Sequence, residues 1–156
     1  GTIALQNQLS GMTHASVPSG SVIQVVSATN TNTANGGFLL QTTSTSFVSV
    51  PLAVSITPSS TSSKIMILVN TTTYRAASGY LTVYRGSTNV AGGNGLANPT
   101  LSSSSRFEPL SFSYLDSPNT TSSVQYTLYA RTASGTLYVG GDGDLINSIT
   151  LMEIKG

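Results

Sequence analysis

"ITPSSTSSKIMILV", residues 56–69, sets a block of turn-formers, Pro58 to Ser63, against an unbroken aliphatic run, Ile65 to Val69. Proline fixes φ, and serine and threonine hydroxyls bond back to their own backbone, so the block favours a turn over a helix start. The run that follows is aliphatic, largely β-branched and about as long as one strand. A surface turn carrying one strand into the next is the simplest reading, with Lys64 closing the buried run by a solvated charge. The same pattern repeats outward in both directions. Strands are expected at Ser21–Ala28, Gly37–Gln41, Ser46–Ile56, Lys64–Tyr74, Tyr80–Tyr84, Leu110–Tyr114, Val124–Thr132, Thr136–Val139 and Ser148–Lys155. Clusters of Gly, Pro, Asn, Asp or Ser bound each of them. Nine short strands without an amphipathic helix predict an all-β fold. The form expected is a jelly-roll-like antiparallel β-sandwich over 19–156, preceded by a short N-terminal arm or connector at 1–18.

Alternation separates the two faces of several strands. In "GYLTVYRG", residues 79–86, Leu81 and Val83 oppose Tyr80, Thr82 and Tyr84. In "SVQYTLYART", residues 123–132, Val124, Tyr126 and Leu128 oppose Gln125, Thr127, Tyr129 and Arg131. In "SITLMEIKG", residues 148–156, Ile149, Leu151 and Glu153 oppose Thr150, Met152 and Ile154. That last strand is apolar on both sides, which predicts a central place or cover from a neighbouring subunit. Between Arg85 and Phe107 runs a glycine- and serine-rich excursion of a length that is usually functional or mobile.

Charge is scarce, at 7% of residues against about 25% in ordinary soluble proteins. Serine and threonine, about three residues in ten, take its place. The net charge is +1, and the six cations are scattered between Lys64 and Lys155. No electrostatic footprint for nucleic acid or an anionic membrane follows from that. With no cysteine, neither a disulfide nor a thiolate metal site can form. No apolar stretch reaches the roughly 18 residues of a membrane helix, so membrane insertion is not expected. Residues 1–20 lack the segments of a signal peptide, and a start at Gly1 points to a fragment or a processed product.

Several phrases occur in a telling order: "VPSGSVIQVV" at 17–26, "TSFVSVPLAVSITPSSTSSKIMILV" at 45–69, "LTVYRGST" at 81–88, "YLDSPNTTSSVQYTLYAR" at 114–131 and "SITLMEIKG" at 148–156. In these phrases the chain resembles a domain near the C-terminus of tail-fibre-like and other virion structural proteins of tailed bacteriophages, the aquatic and cyanobacterial ones especially. The resemblance spans residues 17–156; "ITPSSTSSKI", "YRGST" and "ITLMEI" are its most specific parts. All are structural landmarks and none is a catalytic signature. The resemblance implies a β-rich domain, a homotrimer as at fibre tips, a place on the virion surface and other virion proteins as partners. It also implies a non-enzymatic role, either as a tail-fibre tip contacting host surface polysaccharide or as a capsid decoration or head-fibre protein that binds its own particle. The chain departs from a fibre by having no long shaft before Val17.

Constellations of reactive residues are few. His14, the sole histidine, sits in the arm without a partnered acid or nucleophile. The five acids are Glu108, Asp116, Asp142, Asp144 and Glu153, and only Asp142 and Asp144 lie close in sequence, so a glycosidase pair is not expected. In "GGDGDLINS", residues 140–148, Asp142, Asp144 and Asn147 are oxygen donors of the kind calcium takes. The later acidic ligand of a full calcium loop is missing, and the same residues suit a tight turn. No cofactor is expected. Tyr80 and Tyr84 share the non-core face of one strand, and Tyr129 lies on the corresponding face of another. Such faces stack on sugars or pack at protein interfaces. In the excursion from Gly86 to Ser105, Asn89, Asn94 and Asn98 are neutral hydrogen-bonding groups suited to a hydroxyl-rich ligand, with the turn at Gly140–Asn147 as a second contributor.

Overall fold

The computed structural model describes residues 16–31, 36–74, 78–99, 107–141 and 145–156. The arm expected at 1–18 is thus described only from Ser16 onward, and His14 lies outside the described residues. Ten strands follow in order: β1 (Val22–Asn30), β2 (Leu40–Thr42), β3 (Val48–Ile56), β4 (Lys64–Tyr74), β5 (Ser78–Arg85), β6 (Thr88–Asn89), β7 (Phe107–Asp116), β8 (Val124–Ser134), β9 (Leu137–Val139) and β10 (Asn147–Ile154).

Pairing explains why this is a jelly roll. β1 pairs with β10, and the short β2 and β9 continue that ladder beyond a break in each strand. With each broken strand counted once, the chain pairs with itself from both ends inward: β1/β2 with β9/β10, β3 with β8, β4 with β7, β5 with β6. The tip of this antiparallel ribbon is the turn at Gly86–Ser87, where Gly86 takes φ +56°. Rolling the ribbon up gives two sheets. In the first, β4 is flanked by β7 on one side and by β10 and β9 on the other, with β1 and β2 outermost; the second runs β3-β8-β5-β6. Two sheets of four strand positions wound in this order are the jelly roll.

The core follows from period-2 alternation. Val50, Leu52, Leu81, Val83, Leu128 and Ala130 of one sheet face Ile65, Ile67, Val69, Ile149 and Leu151 of the other, all buried. Fully burying one such aliphatic side chain contributes about 1.5–3 kcal/mol. β10, apolar on both faces, is central: β1 lies on one side and β4 on the other.

The hydroxyl block after β3 is a turn, yet it is not wholly a surface one. Glu153 of β10 points inward and is fully buried. Its Oε1 accepts the Ser59 N–H at 2.8 Å, the Ser59 hydroxyl at 2.5 Å and the Ser63 hydroxyl at 2.6 Å. Its Oε2 accepts Gln24 Nε2 at 2.6 Å. Burial by itself pushes the carboxyl up, but these donors outweigh it and hold Glu153 below the usual glutamate range. Near the same end of the sandwich, Asp116 accepts Arg85 Nη1 at 2.6 Å and the buried Tyr126 hydroxyl at 2.7 Å. Burial, then the Asp116 hydrogen bond and charge, push the Tyr126 phenol up. The entry to the fold is stitched to its exit: Gly20 N–H donates to the Lys155 carbonyl, Lys155 N–H to Ser21, and Lys155 Nζ to the Val17 carbonyl.

Candidate functional site

The second sheet turns its outward face into an aromatic ladder. Cross-strand register places Tyr80 opposite Arg131 and Tyr84 opposite Thr127, so Tyr84 meets Tyr129 on the diagonal. The Tyr84 and Tyr129 rings stack with centroids 4.1 Å apart, and Phe47 meets Tyr84 edge-on at 6.1 Å. The Arg131 guanidinium sits 4.1 Å from the Tyr80 centroid and 5.2 Å from that of Phe47. Its Nη2 reaches across β5 and donates to Asn94 Oδ1 at 2.7 Å. Arg131 engages no carboxylate among the described residues.

The first half of the long excursion lies along the free edge of β5. Leu81 N–H donates to the Ala97 carbonyl, the Leu81 carbonyl accepts Leu96 and Ala97, and Gly79 N–H donates to Pro99. Gly95, at φ +93°, permits this approach, since a Cβ there would stand 2.7 Å from the Leu81 carbonyl oxygen and 2.9 Å from Thr82 Cβ. Between this segment and the ladder lies an open depression of about 310 Å3, lined by Tyr80, Asn94, Gly95, Leu96, Ala97 and Asn98.

Of the residues singled out from sequence, Tyr80, Asn94 and Asn98 therefore come together at one place, with Tyr84 and Tyr129 in the adjoining ladder. Tyr84 and Tyr129 spend ring faces on each other, so they support the surface and do not offer two free platforms. Asn89 does a different job: its Oδ1 accepts the Thr82 hydroxyl at 2.6 Å and the Ala91 N–H at 3.2 Å, which shapes the turn after β6. Asn147 is buried, its Oδ1 accepting the Thr71 hydroxyl at 2.8 Å while Nδ2 donates to the Asn30 and Leu145 carbonyls. That makes it a brace between β4, β10 and the end of β1. Asp142 and Asp144 lie outside the described residues, as do residues 100–106 of the excursion. Two contributors were not singled out. Both had a legible signal: Arg131 alternates onto the face of Tyr129, and Phe47 falls within the strand expected at Ser46–Ile56, although it stands just before β3.

The first sheet presents a different outward face. Register lines up Val25, Met152, Met66 and Leu115 in one row across β1, β10, β4 and β7. Val25 is 54% and Leu115 42% exposed. Farther along that face, Phe38, Tyr74, Phe107 and Tyr138 form an aromatic box with centroids 4.6 to 5.9 Å apart. Compared with known families and with curated proteins, the chain matches no family model and no curated sequence.

Proposed function

We propose that the chain is a non-enzymatic surface component of a tailed-phage virion, a trimeric fibre-tip domain that contacts host surface polysaccharide. Jelly rolls serve in viral capsids and in lectins alike, so the fold alone does not choose a role. The observation that carries the reading is the outward face of the second sheet, where a braced aromatic ladder ends at an open depression edged by neutral amides. An aromatic wall with a few convergent polar groups is the usual make-up of a small-ligand site, and sugars meet both halves of it through their C–H faces and hydroxyls. The opposite face, with its apolar row, suits packing against other copies in a trimer.

That apolar row equally favours the second reading, a decoration or head-fibre protein seated on its own capsid. Immunogold labelling and quantitative mass spectrometry of particles carrying the protein separate the two. A few copies per virion at fibre ends are expected. Hundreds of copies on the head select the decoration role, and absence from the particle overturns both.

A further inference from the structure

We infer that the depression beside Tyr80 is a subsite for one uncharged sugar residue, with Arg131 as its positioning residue and not its ligand. This rests on the polysaccharide reading above and goes beyond it by naming the ligand class and the residue that shapes the site. All the described residues that line the depression are neutral: Tyr80, Asn94, Gly95, Leu96, Ala97 and Asn98. Its volume, about 310 Å3, falls at the small end of ligand sites, which run roughly from 300 to 1,000 Å3. That suits a single ring of a longer glycan.

Among the described residues Arg131 is the charge seen to touch that lining, and its contacts turn it toward the protein. The guanidinium lies against Tyr80 and Phe47, and Nη2 is given to Asn94 Oδ1. Holding the amide oxygen of Asn94 leaves its NH2 as the group free to donate to a sugar hydroxyl. Lying on Tyr80 fixes that ring as the wall of the depression. A lysine cannot reproduce the planar fork that performs both tasks at once. The Gly95 approach and the paired Leu96–Pro99 stretch set the opposite wall, so the subsite is preformed and little ordering accompanies binding.

The test uses the full chain, isothermal titration and amide chemical shifts, with two probes: uncharged oligosaccharides (manno-, galacto- and gluco-series) and alginate oligosaccharides of equal length as the acidic comparison. Uncharged probes should bind with shifts confined to Tyr80 and Asn94–Asn98, and should be recovered unhydrolysed. Arg131→Lys should weaken that binding about tenfold, the effect of losing one oriented hydrogen bond, with the thermal midpoint nearly unchanged. In an Asn94→Ala background the same substitution should weaken it distinctly less, because only the Tyr80 contact is then left for Arg131 to act through. Tighter binding of alginate, or an equal Arg131→Lys loss in both backgrounds, overturns the inference by making Arg131 a direct ligand. Binding of neither probe overturns it as well. The fibre-tip reading is judged separately, by where the protein sits on the particle.

Discussion

Glu153 is a carboxylate inside a hydrophobic sandwich, and its four donors are one backbone N–H and two hydroxyls from the single turn after β3 and one glutamine amide. Its folded pKa lies below the ordinary glutamate value, near 4.3 in unfolded chains. The stabilisation is therefore complete above that value and is lost as pH falls through the folded one. Thermal melts should show stability falling below about pH 4, and Glu153→Gln should remove that acid sensitivity. At neutral pH the same substitution should destabilise by about 1–3 kcal/mol, because the serine donors lose their charged acceptor. Tyr126 gives the opposite sign. Its folded pKa is raised, so its contribution is present below the unfolded value, near 10, and is lost as pH rises beyond it. Tyr126→Phe should blunt alkaline unfolding and lower stability at pH 7 by about 1 kcal/mol, with Asp116 still held by Arg85. Alternation in the sequence put Tyr126 and Glu153 on faces shared with core aliphatics. It could not name their partners: Ser59 is 94 positions from Glu153, and no local period reports a contact that distant.

At the scale of the elements, the long excursion divides in two. Its described part, 86–99, holds β6 and the stretch that pairs along β5, so it is an edge cover that walls the depression and not a free loop. Glycine and serine content read as looseness in the sequence, whereas Gly95 is there because the backbone comes too close for any Cβ. Gly95→Ala should lift this segment, lower the thermal midpoint by a few degrees and abolish binding at the depression, which calorimetry and titration can follow together. Each of the nine expected strands has a counterpart, though the one expected at Gly37–Gln41 meets β2 only at Leu40 and Gln41. The errors are physical ones. β7 runs from Phe107 to Asp116, beyond the expected Leu110–Tyr114, because Glu108 and Pro109 break the apolar pattern. As an edge strand it tolerates a proline that a central strand would not. β6 escaped notice because two residues carry no period.

For the whole molecule, the two outward faces differ enough to assign different tasks. One is the aromatic ladder; the other is the apolar row of Val25, Met152, Met66 and Leu115. If the row packs copies into a trimer, Leu115→Lys or Met66→Lys should leave each sandwich folded while light scattering falls from trimer to monomer mass. A trimer that persists in both variants removes this face from the interface. The jelly-roll pairing also has a bearing on synthesis. Strand β10 sits between β1 and β4, which precede it by many residues in the chain, so the larger sheet stays open until Asn147–Ile154 has been made and has docked. Contacts of such long sequence separation close slowly, and until then β1 and β4 expose apolar edges that invite aggregation. Chains truncated before Asn147 should accordingly be insoluble, while residues 147–156 supplied as a separate peptide should rescue solubility. Translation speed through the codons of β10 thereby becomes a determinant of how much of the chain reaches its folded state.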